Sequence, residues 1–317
     1  MDRKEPCRFR IHRCFFEGIL TVGRGRDYLG SYRLVRLIRA GPTSQVWEAI
    51  DDNTHEKYAL KSLLRETRTD RQAIADLKHE FELAKNLDHE NVIKIFEVET
   101  SRKVPYLVLE LSRGKNLKLI LRQSPDWLAH FLPELLEPMT AGLIYLHKQG
   151  WLHCDVKPDN FLVDEDMDLK LIDFSIGRRR LGRLGKLFRR LLKTKVQGTR
   201  SYMSPEQIRG KSLDVECDIY GLGCTLFELL SSKPPFTGST PGELLQKHLR
   251  SRIPLLHTIN KNVTEEFSQL LKEMMAKKAA DRPDSMESVQ VRFNQTRVYN
   301  ILPKAPAVKD DHEQPDI

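Results

Sequence analysis

The chain has 317 residues, of which 40% are hydrophobic and 30% are charged, and this composition is typical of globular proteins. No uninterrupted apolar run approaches the roughly 18 residues of a membrane-spanning helix, and Glu17 interrupts the short apolar run near the N-terminus, so we expect neither a membrane span nor a signal peptide. The five cysteines form no CxxC pair, which argues against a disulfide framework or a zinc ribbon and predicts a cytoplasmic protein.

The positive charge is concentrated in one segment. The net charge is +8, and residues 178–195 contain nine Lys or Arg and no acidic residue, so the rest of the chain is nearly neutral. Because this segment also carries an apolar stripe, it either binds an acidic partner or an anionic membrane surface, or forms a solvated loop, and both interpretations stay open. Nucleic-acid binding is not expected, since no base-reading element accompanies the arginines. The residues that would bind an acidic partner or an anionic membrane surface are Arg178, Arg179, Arg180, Arg183, Lys186, Arg189 and Arg190.

The first part of the chain is predicted to form strands. Residues 1–29 show no period and are interpreted as an N-terminal extension. Residues 32–41, 44–51 and 57–64 alternate apolar and polar side chains between turn-forming stretches. This pattern predicts three antiparallel strands.

A helix and two more strands follow. Residues 69–87 change to helical spacing, with Thr69 or Asp70 as the N-cap. Residues 91–98 and 106–111 are again typical of strands.

The second part of the chain is mainly helical. Residues 128–146 carry an apolar stripe that predicts a helix, which Pro133 and Pro138 should kink or shorten. Two short apolar runs, 161–164 and 169–174, predict a small hairpin between helices.

These elements predict an α+β protein of two unequal lobes with a ligand cleft between them. The smaller lobe, residues 30–111, holds an antiparallel sheet and one helix. The larger lobe, residues 112–299, is mainly helical and contains a central buried helix at 218–230. Residues 300–317 lack a period and are expected to form a disordered tail.

The segment 153–160, which reads HCDVKPDN, carries the most information about function. It places an Asp, a Lys and an Asn in one short loop, and Asp173-Phe174 follows 13 residues after that Asn. With further motifs in the same order, the sequence resembles the eukaryotic-type protein kinases over about residues 32–296. The Lys two residues after the loop Asp matches the serine/threonine branch of that family.

The resemblance implies a protein serine/threonine kinase that uses ATP and Mg²⁺. Asp155 would accept the proton of the substrate hydroxyl or orient that hydroxyl, and Lys157 would neutralise the transferred phosphoryl group. Asn160 and Asp173 offer the oxygen ligands that Mg²⁺ prefers. Lys61, at the end of a strand, would bind the α- and β-phosphates.

Lys61 needs a carboxylate partner on the following helix. The family's spacing to His89 implies Glu80. Glu82 is the rival, but it lies two positions further on and so points about 200° away around the helix.

Other positions of the nucleotide site are implied by alignment with the family. Apolar residues of both lobes would enclose adenine, backbone groups after a strand would bond its edge, and a loop would cover the phosphates. Each apolar position could equally belong to the core. Arg39, in the loop, could contact phosphate or solvent. These residues are Ile38, Arg39, Gly41, Ser44, Val46, Ala59, Glu110, Leu111 and Leu162.

The run GTRSYMSPEQ resembles the end of a kinase activation segment. In the family, Thr199 would contact the catalytic Asp and Lys. Glu206 would pair with Arg282 to lock the larger lobe, and Asp218 would bond the backbone of the catalytic loop.

The sequence also departs from the family pattern. The phosphate-covering loop, residues 39–46, keeps only Gly41 of three glycines, which predicts weaker ATP binding. Ser175 replaces the glycine after Asp-Phe, and the basic segment lies within the activation segment. Cys154 replaces the Arg that pairs with a phosphorylated residue, so we expect activity not to depend strongly on activation-loop phosphorylation.

Two functions from different classes follow. The chain retains all five polar residues of the family's catalytic set, and this favours an active serine/threonine protein kinase. They are Lys61, Glu80, Asp155, Asn160 and Asp173. The altered glycine loop supports the alternative, a catalytically weak kinase-fold scaffold that binds partners through residues 178–195 or the N-terminal extension.

Overall fold

A computed structural model describes residues 28–101, 103–180 and 197–305. The chain divides into two units. The first contains the described residues up to Asn86 together with Lys94–Ser112, and the second contains Leu87–Ile93 and the described residues from Arg113 onward.

The first unit is built on a six-stranded antiparallel sheet. Its strand order is β1-β2-β3-β4-β6-β5, so consecutive strands pair as neighbours until β5 and β6 exchange places. This arrangement confirms the predicted run of three antiparallel strands and the two later ones. The strands are β1 (Tyr28–Leu29), β2 (Tyr32–Ala40), β3 (Ser44–Asp51), β4 (Lys57–Leu63), β5 (Ile95–Glu99) and β6 (Tyr106–Glu110).

One face of this sheet carries an apolar core. Alternation along the strands brings Leu34, Ala49, Leu60, Tyr106 and Val108 into one buried cluster. Because each of these residues comes from the inward-facing positions of its strand, the cluster fixes the register of the sheet.

Among the described residues of this unit, one helix, α1 (Arg71–Ala84), accompanies the sheet. Asp70 is its N-cap, and its side chain accepts a hydrogen bond from the backbone N–H of Gln72 at 2.9 Å. The buried face of the helix includes Leu77 and Leu83, and it also includes Glu80. A buried carboxylate on an otherwise apolar face requires a partner.

The second unit is mainly helical. Its helices pack around one long apolar helix, Glu216–Ser231. The unit also contains two short sheets. The α+β class, with a small sheet unit and a larger helical unit, is therefore confirmed. The α-helices among the described residues of this unit are α2 (Leu117–Gln123), α3 (Pro125–Lys148), α4 (Pro205–Ile208), α5 (Glu216–Ser231), α6 (Pro241–Arg250), α7 (Leu256–Ile259), α8 (Glu265–Met274) and α9 (Met286–Gln295).

Helix α5 is buried along nearly its whole length, as predicted for residues 218–230. The predicted hairpin is also present. Strands β9 (Phe161–Val163) and β10 (Leu169–Leu171) pair antiparallel, and β9 also pairs with β7 (Lys115–Asn116). The other short sheet pairs β8 (Trp151–Leu152) with β11 (Arg178–Arg179).

Helix α3 corrects one expectation. Pro133 and Pro138 lie inside it, yet the helix is not shortened and continues over 24 residues. Each proline removes one backbone hydrogen bond and costs roughly 3 kcal/mol in a helix interior. The buried side of the helix, which includes Leu132, Leu135 and Met139, offsets this cost through tertiary packing.

The predicted domain limits also differ from the structure. Tyr28 pairs with Arg33, so the sheet begins inside the predicted extension. At the other end, the backbone N–H of Asn300 donates to the carbonyl of Asn262 at 2.7 Å, and Pro303 accepts a hydrogen bond from His130 at 2.7 Å. The first residues of the predicted disordered tail therefore pack on the second unit. No helix among the described residues has the length and apolar character needed to cross a lipid bilayer.

Candidate active site

The catalytic loop brings three sequence-predicted residues together. The Lys157 ammonium donates hydrogen bonds to Asp155 Oδ2 and to Thr199 Oγ1, the latter at 2.8 Å. The backbone N–H of Thr199 donates to Asp155 Oδ1 at 2.8 Å. Both carboxylate oxygens are thus oriented, while the side chain of Asp155 keeps partial exposure to solvent.

Asn160 lies in the one-turn helix that follows this loop, Pro158–Asn160. Its amide nitrogen donates to the carbonyl of Asp155 at 2.9 Å. Its amide oxygen is buried and accepts no hydrogen bond from any described residue. A buried polar atom without a partner is costly, and an amide oxygen is a ligand for hard cations, so this position fits Mg²⁺.

Asp173 follows strand β10 and has a left-handed backbone, with φ of 68°. Short polar residues such as Asp tolerate this conformation better than other non-glycine residues. The next residue, Phe174, is fully buried, and its ring packs edge-on against that of His153 with 5.6 Å between centroids. The substitution of Ser175 for glycine does not prevent this arrangement.

Asp218 on α5 holds the backbone of the catalytic loop, as the resemblance implied. Its carboxylate accepts hydrogen bonds from the N–H groups of His153 and Cys154, at 2.9 and 2.8 Å. His147 also contacts it, with 2.8 Å between Nε2 and Oδ2. Burial opposes ionisation of Asp218, but the hydrogen bonds and the neighbouring histidines outweigh burial and lower the pKa of its carboxyl.

Several supporting residues were not predicted from the sequence. His147 is one, and Gln207 is another, since its amide donates to the carbonyl of Cys154 at 2.8 Å. The spacing of Ser204 and Gln207 is that of a capping box, which would have located Gln207 at the start of α4. Glu228 is buried and bonded by Lys118 and by the hydroxyl of Tyr202, and no local pattern links these three residues.

In the first unit, Lys61 pairs with Glu80. The ammonium lies 3.0 and 2.7 Å from the two carboxylate oxygens of Glu80, which is 1% exposed. The rival Glu82 is exposed and pairs with Lys85 instead, at 2.7 Å. The structure therefore selects Glu80 as the partner of the strand lysine.

The phosphate-covering loop forms the tip of the β2–β3 hairpin. Gly41 donates its N–H to the carbonyl of Ser44 at 2.8 Å, and a Cβ at Gly41 would lie only 3.2 Å from that oxygen. The carbonyl of Thr43 accepts hydrogen bonds from the N–H of Leu64 at 3.0 Å and from the hydroxyl of Thr67 at 2.7 Å. The tight turn therefore leaves little room for a side chain at position 41, which explains why this glycine is retained. The two bonds to Thr43 hold the hairpin tip against the loop after β4.

Of the other residues predicted to bind nucleotide, Leu162 belongs to the second unit and the rest belong to the first. Ile38 is 42% exposed and Ala59 is 7% exposed, so only Ala59 is a core residue by burial. Arg39 is exposed and pairs through its backbone with Val46. The N–H of Glu110 donates to the carbonyl of Lys94 at 3.0 Å, so this N–H is engaged within the first unit. The bonding of adenine by backbone groups of Glu110 and Leu111 stays a prediction.

Glu206 and Arg282 pair as the resemblance implied. The guanidinium donates to both carboxylate oxygens, at 2.6 and 2.9 Å, and also to the carbonyls of Glu216 and Ala276. Its Cζ lies 4.8 Å from the centre of the Tyr220 ring. The side chain of Arg282 is fully buried and has four acceptors. It therefore holds together the segments that contain these acceptors and takes no part in chemistry.

Cys154 occupies an apolar environment. It packs with Leu152, Leu213, Val215 and Cys217 in a buried cluster that joins the catalytic loop to the segment before α5. A charged Arg at this position would require a buried counter-ion, whereas the thiol does not.

Three arginines at the start of the basic segment have intramolecular partners. Arg179 stacks on Trp151 at 4.7 Å, Arg180 pairs with Asp214 at 2.6 Å, and Arg178 donates to Gln197 at 3.3 Å. The remaining residues of the proposed binding set, Arg183, Lys186, Arg189 and Arg190, lie outside the described residues, so that part of the prediction stays a prediction.

Comparisons with known proteins agree with this geometry. The family model described as the protein kinase domain matches residues 32–294. A probable serine/threonine-protein kinase of Streptomyces coelicolor is 28% identical over 270 residues, which cover 83% of this chain and 39% of that protein. PknL of Mycobacterium tuberculosis is 29% identical over 252 residues, covering 79% and 62% of the two chains. PknB of Mycolicibacterium smegmatis is 29% identical over 288 residues, covering 89% and 45%.

The chain thus spans between 39% and 62% of the length of these relatives. The family match covers most of the chain and includes the catalytic loop, the Lys61–Glu80 pair and the Glu206–Arg282 pair. The chain therefore belongs to the protein kinase domain family, in the eukaryotic-type serine/threonine branch that its own motifs indicate.

Proposed function

We propose that this chain transfers the γ-phosphoryl group of MgATP to serine or threonine hydroxyls of protein substrates. The observation that carries the proposal is the arrangement of Asp155, Lys157 and Thr199, in which the ammonium and the threonine orient both oxygens of one partly exposed carboxylate. Phosphoryl transfer depends on positioning and charge neutralisation, and this group supplies both.

Each residue of the loop has a separate task in the proposed reaction. Asp155 accepts the proton of the substrate hydroxyl as the oxygen–phosphorus bond forms and the bond to the leaving ADP oxygen breaks. Lys157 neutralises the charge on the transferred phosphoryl oxygens. Thr199 holds the carboxylate so that an oxygen faces the hydroxyl.

The amide oxygen of Asn160 and the carboxylate of Asp173 would hold Mg²⁺. The absence of a described hydrogen-bond partner for the buried Asn160 oxygen supports this assignment. When bound, the metal neutralises phosphate charge. Asn160 itself also fixes the loop, since its amide nitrogen bonds the carbonyl of Asp155.

In the first unit, the Lys61 ammonium would bind the α- and β-phosphates. Glu80 holds this ammonium through two short contacts and is itself buried, so the lysine is oriented before nucleotide binds. The tie between Thr43 and Thr67 favours a formed hairpin tip despite the missing glycines.

The proposal includes activity without activation-loop phosphorylation. A family Arg before the catalytic Asp would be drawn into place by a phosphate, but Cys154 is held by apolar packing and by bonds from its backbone to Asp218 and Gln207. No added charge is needed for these contacts, so the catalytic loop is ordered without a phosphate.

The test is time-dependent phosphate incorporation from MgATP into the chain and into a mixture of acidic and basic protein substrates. Asp155→Asn and Lys61→Met should each abolish incorporation. The matched controls are Asp166→Asn, on the exposed turn between β9 and β10, and Lys57→Met, at the exposed start of the same strand as Lys61. Incorporation that is absent in the unaltered chain, or unchanged in both site variants, would favour the catalytically weak scaffold.

A second experiment tests phosphorylation independence. Thr194 is the only Ser or Thr between residues 176 and 198. Thr194→Ala should keep kcat within about twofold of the unaltered chain, since no phosphate-dependent contact is required. A many-fold loss of kcat in this variant, or after complete phosphatase treatment, would contradict this part of the proposal.

A further inference from the structure

Two cysteine side chains meet beneath the catalytic loop. Cys154 immediately precedes Asp155, and Cys217 lies in the first turn of α5. Both are free thiols, 6% and 3% exposed, and their Sγ atoms lie within 4.8 Å of each other in the same apolar cluster. The proposed phosphoryl transfer uses neither thiol.

A carboxylate oxygen of Asp218 lies within the same distance, so the three side chains resemble a metal site. Both oxygens of Asp218 are already engaged, however, by the N–H groups of His153 and Cys154 and by His147. A cation would have to displace bonds that hold the catalytic loop. The group is therefore better described as a thiol pair.

We propose that Cys154 and Cys217 form a reversible disulfide when the chain meets a peroxide, and that this bond lowers kinase activity. One thiol reacts with hydrogen peroxide to give a sulfenic acid and water. The second thiol then attacks that sulfur, forming the S–S bond and releasing a second water. Two thiols are oxidised, one peroxide is reduced, and no other reactant is needed.

The two cysteines have different roles in this sequence. The contact with Cys154, burial and the Asp218 carboxylate raise the pKa of Cys217 well above its usual value, so Cys217 remains a protonated thiol at neutral pH. Cys154 is also the more exposed of the two. We therefore assign Cys154 as the thiol that reacts first and Cys217 as the resolving thiol.

A link at Cys154 would act directly on the catalytic residue beside it. A disulfide holds its sulfurs about 2.05 Å apart, which is closer than two unbonded thiols can approach. The backbone of Cys154 is left-handed, with φ of 65°, and both its N–H and its carbonyl are hydrogen bonded. Movement of this side chain therefore strains a segment with little freedom and displaces Asp155, which supports the inhibitory effect.

The experiment treats the full chain with hydrogen peroxide and maps the thiols by mass spectrometry while measuring kcat. Trypsin places Cys154 in a peptide of residues 149–170, and places Cys217 with Cys224 in a peptide of residues 212–247. We expect a cross-linked pair of these peptides in the unaltered chain and in Cys224→Ser, and none in Cys217→Ser. Cys224 is the matched control because it lies on the same helix and is also buried.

Activity should follow the cross-link. We expect kcat to fall about tenfold or more, because small displacements of a catalytic group have effects of this size, and to recover with dithiothreitol. Relative to its own untreated rate, Cys217→Ser should lose much less. The proposal is overturned if treated protein carries sulfenic or sulfinic acids without the cross-link, or if the cross-link leaves kcat unchanged. The inhibitory step rests on the proposed kinase function, whereas the cross-link is measured by mass and is decided even if the chain transfers no phosphate.

Discussion

The backbone N–H of Thr199 donates a 2.8 Å hydrogen bond to Oδ1 of Asp155 across 44 residues of sequence. The hydroxyl of the same threonine contacts the Lys157 ammonium at 2.8 Å and Oδ2 of Asp155 at 3.3 Å. Thr199 therefore joins the end of the activation segment to the catalytic loop through both its backbone and its side chain.

This relationship predicts how Thr199 variants behave. Thr199→Val keeps the backbone bond and the shape but removes the hydroxyl, so we expect kcat to fall about tenfold or more through loss of orientation. Thr199→Ser restores the hydroxyl and should recover most of that loss. The measurement is kcat from steady-state kinetics of the unaltered chain and the two variants. Equal rates for the Val and Ser variants would show that the hydroxyl contributes nothing.

Arg282 is predicted to contribute strongly to the stability of the second unit. Arg282→Met leaves Glu206 without its partner, and breaking a buried pair of this kind costs about 3–5 kcal/mol of unfolding free energy. Arg282→Lys should recover little, because an ammonium cannot make the two parallel bonds.

The control for Arg282 is Arg292→Ala, which removes a partly exposed pair with Glu273 and should cost less than about 1 kcal/mol. Denaturant unfolding measures all three variants. Equal losses for the Met and Ala variants would contradict the assignment.

Acid should destabilise the second unit through His248. Burial lowers the pKa of this histidine from 6.5 to about 4, and its Nδ1 lies 2.8 Å from the hydroxyl of Tyr220. Between these two pH values the unfolded histidine binds a proton that the folded one does not, so stability is lost as pH falls from 6.5 towards 4. The loss from this one group is on the order of 3 kcal/mol at most.

The measurement is the unfolding free energy at several pH values for the unaltered chain and for His248→Asn. Asn has no titration in this range, and its amide oxygen can accept the hydrogen bond of Tyr220. We expect a shallower decline in the variant between pH 6.5 and 4. Parallel declines would remove His248 as the cause.

Magnesium dependence should reveal the role of Asn160. Asn160→Ala removes the amide oxygen that no described residue bonds, so the Mg²⁺ concentration for half-maximal activity should rise about tenfold or more. Activity should recover partly at high Mg²⁺. Titration of Mg²⁺ at fixed ATP tests this, with Asp166→Asn as the control, and an unchanged midpoint would exclude Asn160 as a ligand.

Residues close in sequence, or fixed at family spacing, could be predicted well. Strands β2 to β6, α1 with Asp70 as one of two candidate caps, the β9–β10 hairpin and the choice of Glu80 over Glu82 all depend on local periodicity or on helix geometry. These patterns act over a few residues, so the sequence displays them directly.

Other features depend on tertiary packing and could not be predicted in this way. The bond between Lys118 and Glu228 spans 110 residues and has no local signature. Pro133 and Pro138 indicated a kinked or shorter helix, and α3 is not shortened, because propensity takes no account of the buried face that stabilises this helix. The Cys154–Cys217 approach likewise depends on how the loop packs against α5.

The short strand at Tyr28–Leu29 and the contacts of Asn300 and Pro303 have a practical meaning for recombinant work. A fragment trimmed to the family match, residues 32–294, would expose the edge of the sheet and cut within the last turn of α9. It would also lose Val298 and Tyr299, which are 5% and 7% exposed. Expression clones and crystallisation trials should therefore keep at least residues 28–305, because shorter versions are expected to give less soluble material.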